Sequence, residues 1–191
     1  QLTPAVVALA VFTVALGAAY PLLTTAVAQV AFGDQADGSL VEVDGEVVGS
    51  ELIGQPFVSP RYFHPRPSGA GAGYDGAASA GSNLGPLNAD LLASVEQRVA
   101  DYRSINGCDA QGPVPVDAVT ASASGLDPHI SVANARLQAG RVAEARGIDV
   151  AQVLAAVDAA TDEPAFGVLG ERAVDVLAVN LSLDSQFGAV G

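Results

Sequence analysis

From Ala5 to Ala28 the chain carries no charged side chain, and apolar positions run together instead of alternating with polar ones. About 24 residues at about 1.5 Å of rise span roughly 36 Å, more than the roughly 30 Å hydrocarbon layer of a bilayer. The pattern predicts one membrane-crossing helix within residues 1–32. A cleaved signal peptide is the rival reading, but its apolar region would cover only about 7 to 15 residues. Thr13, Thr24, Thr25 and Gln29 interrupt the apolar surface, and Pro21 follows Tyr20 where it removes a backbone donor and can kink the helix. Threonine in such a helix can bond its own backbone, yet Gly17, Ala18 and Ala19 permit close approach of a second helix. Helix-on-helix packing is therefore expected, with Tyr20, Pro21, Thr24 and Gln29 as partner contacts.

Beyond the span the pattern changes repeatedly. Leu40-Val41-Glu42-Val43 and Glu46-Val47-Val48 flank Asp44-Gly45, which predicts a hairpin over Ser39 to Val48. Ser59 to Pro86 is rich in Gly, Pro, Ser and Ala with Tyr62, Phe63 and Tyr74 embedded, a loop either disordered or pinned against something. Asn88 is placed to cap a helix to about Tyr102, because Leu91, Leu92, Val95, Val99 and Tyr102 share one helical face. The β-branched run Val114 to Ala121 predicts a strand. Asp127 before Pro128 predicts a helix start, with the helix continuing to Arg146 before Gly147. Asp149 and Gln152 resemble a capping box for a further helix whose stripe is Val150, Val153, Leu154 and Val157. Val174 to Leu183 alternates, with Leu177, Val179, Leu181 and Leu183 on one side, and predicts a half-buried strand. The expected fold is a single N-terminal transmembrane helix plus a mixed α+β, or α/β, soluble domain with a small sheet, without internal repeats. Strand order stays open.

Composition narrows the chemistry. All eight basic residues are arginine, so neither a P-loop lysine nor a Schiff-base lysine can exist. A net charge of -13 repels a phosphate backbone, which sets nucleic acid aside as a partner. Cys108 is the only cysteine, so no internal disulfide and no paired-cysteine metal motif is available. The absence of any methionine leads to the expectation that residues before Gln1 have been cleaved or lie outside the sequence. After the span no basic residue occurs before Arg61, whereas Asp34, Asp37, Glu42, Asp44 and Glu46 crowd the flank. A flank without basic residues is free to cross the membrane, so the soluble domain, residues 33–191, is expected outside the cytoplasm.

Several constellations invite chemistry and do not carry it. The run Gly69 to Gly73 suggests a phosphate loop, but no strand leads into it and no lysine follows. Ser122, Ser124, Asp127 and His129 hold the residue types of a nucleophilic triad, yet neighbours in one turn rarely converge as base and nucleophile. Asp127 and Ser131 are read instead as helix-capping groups. His64 and His129 lie far apart in sequence, so no metal site is expected. Arg136, Arg141 and Arg146 suit phosphate or carboxylate recognition in principle, and otherwise solvate a helix face or pair with acids. No catalytic residue is expected.

Long strings then match a known pattern. They are Tyr20-Pro21-Leu22-Leu23; Gly49 to Phe57; Tyr62-Phe63 with Arg66-Pro67-Ser68; Gly81-Ser82-Asn83-Leu84-Gly85-Pro86; Pro115-Val116-Asp117; Thr120 to Ser131; Arg141-Val142-Ala143 with Ala145-Arg146-Gly147; and Val176 to Asp184. Together they resemble the KdpC subunit family of the Kdp potassium-transporting ATPase over nearly the whole chain. Departures are His64 where an aromatic residue is common, Ala80 for a frequent glycine, and an insertion from Ser104 to Gly112 carrying Cys108.

The resemblance implies a non-catalytic accessory subunit in a bacterial cell membrane. Its complex would join a channel-like potassium-binding subunit, an ATP-hydrolysing P-type subunit and a small single-span subunit. Potassium would be the transported ion, and no cofactor would belong to this chain. Partner contacts are expected at Tyr62, Phe63, Arg66, Ser82, Asn83, Asp127 and His129, in addition to those in the span. The first reading is a domain that caps the outer face of the channel-like subunit. The alternative is a catalytic chaperone that raises ATP affinity of the hydrolysing subunit, with Gln138 and Arg141 as nucleotide contacts.

Overall fold

The structure is a computed structural model and describes residues 1–189. The last two residues of the expected 33–191 domain therefore lie outside the described residues. Two compact units are present, Gln1–Ser50 and the remainder from Glu51 onward.

In the first unit a 30-residue helix, Leu2–Ala31, contains an 18-residue stretch of mean hydropathy 2.2 and is long and apolar enough to cross a membrane. It comprises α1 (Leu2–Val14), a π-helical turn (Ala15–Ala19) and α2 (Tyr20–Ala31). The wide turn lies immediately before Pro21, whose ring would crowd the carbonyl four residues back in a regular helix. Widening lets the Tyr20 N–H donate to the Ala15 carbonyl instead. Thr24 satisfies itself: its hydroxyl donates to the carbonyls of Tyr20 at 2.8 Å and Pro21 at 2.9 Å. After α3 (Gly33–Ala36), the hairpin of β1 (Leu40–Val43) and β2 (Glu46–Ser50) forms as expected. Asp44 and Gly45 turn it with φ of 53° and 81°, the paired positive angles of a tight two-residue connection.

In the second unit α4 (Ala89–Asn106) starts at Asn88, whose side chain accepts from Asp90 and Leu91 N–H groups, and ends at Gly107 in the left-handed region. Next come α5 (Val116–Val119), β3 (His129–Ser131), α6 (Val132–Arg146), α7 (Val150–Ala159), β4 (Thr161–Asp162), β5 (Ala173–Asp175) and α8 (Val176–Phe187). The strands form one antiparallel sheet in the order β3-β5-β4. Ile130 and Val174 pair at its centre and join Val142, Val153, Val157, Val179 and Leu183 in a core of small aliphatics around Phe63. The result is the expected mixed α+β soluble region behind one apolar helix.

Three sequence expectations need correction. Val174 to Leu183 is not one strand: β5 stops at Asp175, whose side chain caps α8 by accepting from the Ala178 N–H. Val176, Val179, Asn180 and Leu183 are buried at helical spacing, so the same residues satisfy period 3.6 as readily as alternation. The run from Val114 is not a strand either. It contains the short helix α5, with Asp117 turned to Ser131 and Asn134. Finally, Asp127 and Pro128 do not start a helix. The Asp127 carboxylate accepts from the His129 N–H, Pro128 leads into β3, and Ser131 caps α6 four residues later than expected. Pairing of β3 with β5 overrides the local helix signal.

The stretch 59–86 lacks helix and strand yet is pinned. Phe63 and Ala70 are fully buried within it. The Ser68 hydroxyl donates to the Gly125 carbonyl at 2.6 Å and accepts the N–H groups of Ala70 and Tyr74. Gly125 is obligatory there: at φ 68°, an added Cβ would lie 2.5 Å from the Ala80 oxygen and 2.6 Å from the Ala70 nitrogen.

Candidate functional site

Two carboxamides build the centre of the site. Gln138 on α6 accepts the His64 N–H at 2.7 Å and returns its own N–H to the His64 carbonyl at 3.0 Å. Asn180 on α8 does the same to Phe63, accepting at 2.8 Å and donating at 3.1 Å. Each amide thus imitates a neighbouring strand, and together they hold an extended Phe63-His64 backbone between two helices. Both side chains are about 1% exposed, so every bond they make is made away from water. Gln138 also donates to the Asn134 side chain, which in turn accepts from the Tyr102 hydroxyl and donates to Asp117.

Two arginines on α6 fix the same loop further upstream. Arg141 donates to the carbonyls of Pro60 at 2.6 Å and Tyr62 at 3.1 Å, to Asn106 at 2.9 Å and to Gln138 at 2.8 Å. Burial pulls its pKa down to about 10, which still leaves it charged at neutral pH. Arg146 donates to the Arg61 carbonyl, pairs with Asp184 at 2.8 Å, and lies over the Tyr62 ring at 5.0 Å. Tyr62 completes the knot by donating to the other Asp184 oxygen at 2.8 Å. Arg136 forms only a loose, exposed pair with Asp158 at 3.6 Å.

At the edge of the sheet a charged group gathers. Arg66 donates to Asp127 at 2.6 Å, while the His129 ring lies 3.6 Å from Asp127 on one side and 3.0 Å from Asp162 on the other. Burial raises the Asp127 pKa, but hydrogen bonds from His129 and Arg66 outweigh it and hold the group at about 2. Its hydrogen bond to Asp127 leads in lifting His129 to about 9, against the opposing effect of burial, with Asp162 adding to the rise. His129 is therefore a cation at neutral pH. Ser122 and Ser124 sit hydroxyl to hydroxyl at 3.3 Å, and the His129 nitrogens face carboxylates, so that turn holds no activated nucleophile. Among the described residues no group of three or more His, Cys, Asp and Glu converges as a metal site.

A cleft of about 330 Å³ lies beside the Gln138 clamp, walled by Phe57, His64, Arg66, Tyr74, Arg98 and Tyr102 among others. Burial, with Arg141 adding repulsion, lowers the His64 pKa, and burial raises both tyrosines. Arg98 is committed to the Val119 carbonyl and the Tyr74 hydroxyl to the Arg66 carbonyl.

The residues singled out from sequence thus separate. Phe63 lies in the core, and Tyr62, Arg66, Asp127, His129, Gln138 and Arg141 are engaged in the contacts above. Ser82 and Asn83 are exposed in the loop before α4, and Tyr20, Pro21, Thr24 and Gln29 are exposed on the apolar helix, where Gln29 donates to Asp37 at 2.9 Å. Asn134 and Asn180 were not singled out. Their signal was available: Asn180 is a lone amide on an otherwise apolar helical face, and Asn134 lies one turn before Gln138 on the buried face of α6.

Comparison with known proteins bears on the whole chain. The family described as KdpC, the c chain of the K+-transporting ATPase, matches residues 2–185. The protein named Potassium-transporting ATPase KdpC subunit from Mycobacterium tuberculosis (strain ATCC 25618 / H37Rv) is 59% identical over 184 residues, covering 96% of this chain and 97% of that relative. Proteins of the same name are similar in Caulobacter vibrioides (strain NA1000 / CB15N), at 54% over 188 residues, 98% of this chain and 94% of that relative, and Caulobacter sp. (strain K31), at 55% over 195 residues, 100% and 96%.

Proposed function

This chain belongs to the KdpC family of K+-transporting ATPase subunits, and from that premise we propose that it is an extracytoplasmic cap on the channel-like subunit of the complex. Residues 1–32 anchor it in the bacterial cell membrane, and residues 33–191 stand outside the cytoplasm. Through the span and the domain it assembles with the channel-like subunit, the ATP-hydrolysing P-type subunit and the small single-span subunit. It contributes no active site of its own.

The observation that carries this reading is the charge pattern around the helix. A 30-residue apolar helix is followed by six acidic residues and no basic one before Arg61. Basic residues near a span hold a segment in the cytoplasm, and here nothing does. A charge of -13 also enriches cations near the domain, over the roughly 8 Å that salt screening allows at physiological ionic strength.

The rival role as a catalytic chaperone uses Gln138 and Arg141 to touch nucleotide held by the P-type subunit. Both would first have to release the backbone between Pro60 and His64, and Gln138 is about 1% exposed. That cost favours the cap. The experiment is a complex assembled with the chain truncated after Phe32. Loss of assembly, or at least a tenfold rise in the potassium concentration needed for half-maximal transport, is expected. An intact complex with unchanged potassium affinity would overturn the cap.

A further inference from the structure

Between β4 and β5 the chain makes a rigid turn with an apolar tip. The N–H groups of Ala165 and Leu169 each donate to the other's carbonyl at 2.9 Å, closing the turn, and the Gly167 N–H donates to the Pro164 carbonyl at 2.8 Å. Below it, Arg172 pairs with Glu163 at 2.9 Å across the base. The tip projects Phe166, Val168 and Leu169 into solvent at 94%, 78% and 61% exposure.

This exposure is not looseness. Phe166 has φ 55°, a left-handed backbone that a bulky aromatic residue rarely adopts. Such a conformation persists only where the surroundings impose it, here through the hydrogen bonds that close the turn. The strained turn thus holds an aromatic side chain 94% exposed, away from the other described residues. Three neighbouring apolar side chains on a rigid tip are what an interface anchor needs: large contact area with little freedom left to lose.

The charge around the tip selects the occupant. Asp162, Glu163 and Glu171 are exposed around its base; Arg172 pairs with Glu163 and His129 with Asp162, which leaves the collar net acidic. That acidic collar is repelled by anionic lipid headgroups, which argues against insertion into a bilayer. A second copy of this chain fits poorly too, since 21 acidic residues face only eight basic ones. We infer that the 164–170 turn is an anchor that seats Phe166 in an apolar pocket with a basic rim on another protein subunit of the transport complex. The inference rests on the reading that this chain assembles with such subunits.

The test uses the whole complex, captured by a tag on another subunit, with this chain carrying Phe166→Asn. Asparagine tolerates positive φ better than phenylalanine, so the variant is expected to fold at least as well, with unchanged abundance in membranes. At least tenfold less of it is expected to remain in the washed complex than of the unsubstituted chain. Equal retention overturns the anchor and leaves the assembly reading standing, whereas an unsubstituted chain that itself fails to co-purify overturns the assembly reading and the anchor with it.

A second arm uses Phe166→Trp, because the chain contains no other tryptophan. In vesicles of phosphatidylcholine and phosphatidylglycerol with brominated acyl chains, without partner subunits, its fluorescence is expected to stay unquenched. Strong quenching would assign the tip to lipid and overturn the inference.

Discussion

Gln138 and Asn180 do a job usually left to backbone, and each leaves a specific gap when truncated. In Gln138→Ala the His64 N–H and carbonyl lose their partners inside the protein, and buried unpaired groups cost about 1–3 kcal/mol. Both Gln138→Ala and Asn180→Ala are expected to lower stability by about that amount in denaturant titrations of the full chain in detergent, and unchanged midpoints would contradict the clamp. His129 gives a second test. Its folded pKa, about 9, exceeds the ordinary 6.5, so its contribution is fully present below about pH 6.5 and is lost as pH rises through 9. Asp127, held at about 2, contributes above its ordinary range and loses that contribution as pH falls toward 2. Unfolding curves between pH 7 and 10 are expected to flatten in His129→Asn, and an unaltered alkaline slope would contradict the ion network. Arg141 stood out in the sequence and Gln138 came with the family resemblance, but the service of both to an internal loop was not legible there. Sequence shows donors and acceptors; only the fold shows which are already used.

Among the elements, those legible beforehand carry their own local punctuation. Asp44-Gly45 turns the hairpin, Asn88 and Gly107 bracket α4, and Asp149 with Gln152 opens α7 as a full capping box. The misread elements lack it or have it overridden. Val176 to Leu183 fits both periods, and Asp127-Pro128 is a good helix opening diverted because β3 must pair with β5. The stretch 59–86 was left open between disorder and packing, since nothing in its composition reveals Phe63 in the core or Ala70 beneath Gly125. Two substitutions check this scale. Asp175→Ala removes the α8 cap and is expected to cost about 1 kcal/mol in the same titrations. Gly125→Ala must displace backbone at Ala70 and Ala80, and is expected to leave little folded chain in membrane extracts; normal yield would contradict the close approach.

For the whole molecule, one apolar helix with no buried residue precedes a domain whose arginines are largely turned to its own carbonyls and carboxylates. The helix requires lipid or other helices around it, since exposed apolar surface of this extent is unfavourable in water. The proposed outward placement of the domain decides between capping a potassium path and assisting ATP hydrolysis. It is tested most directly by a cysteine at Leu87, 91% exposed, introduced as Leu87→Cys in a Cys108→Ser background. Labelling by a membrane-impermeant maleimide in intact cells is the predicted result, and labelling only after the cells are broken open would contradict it.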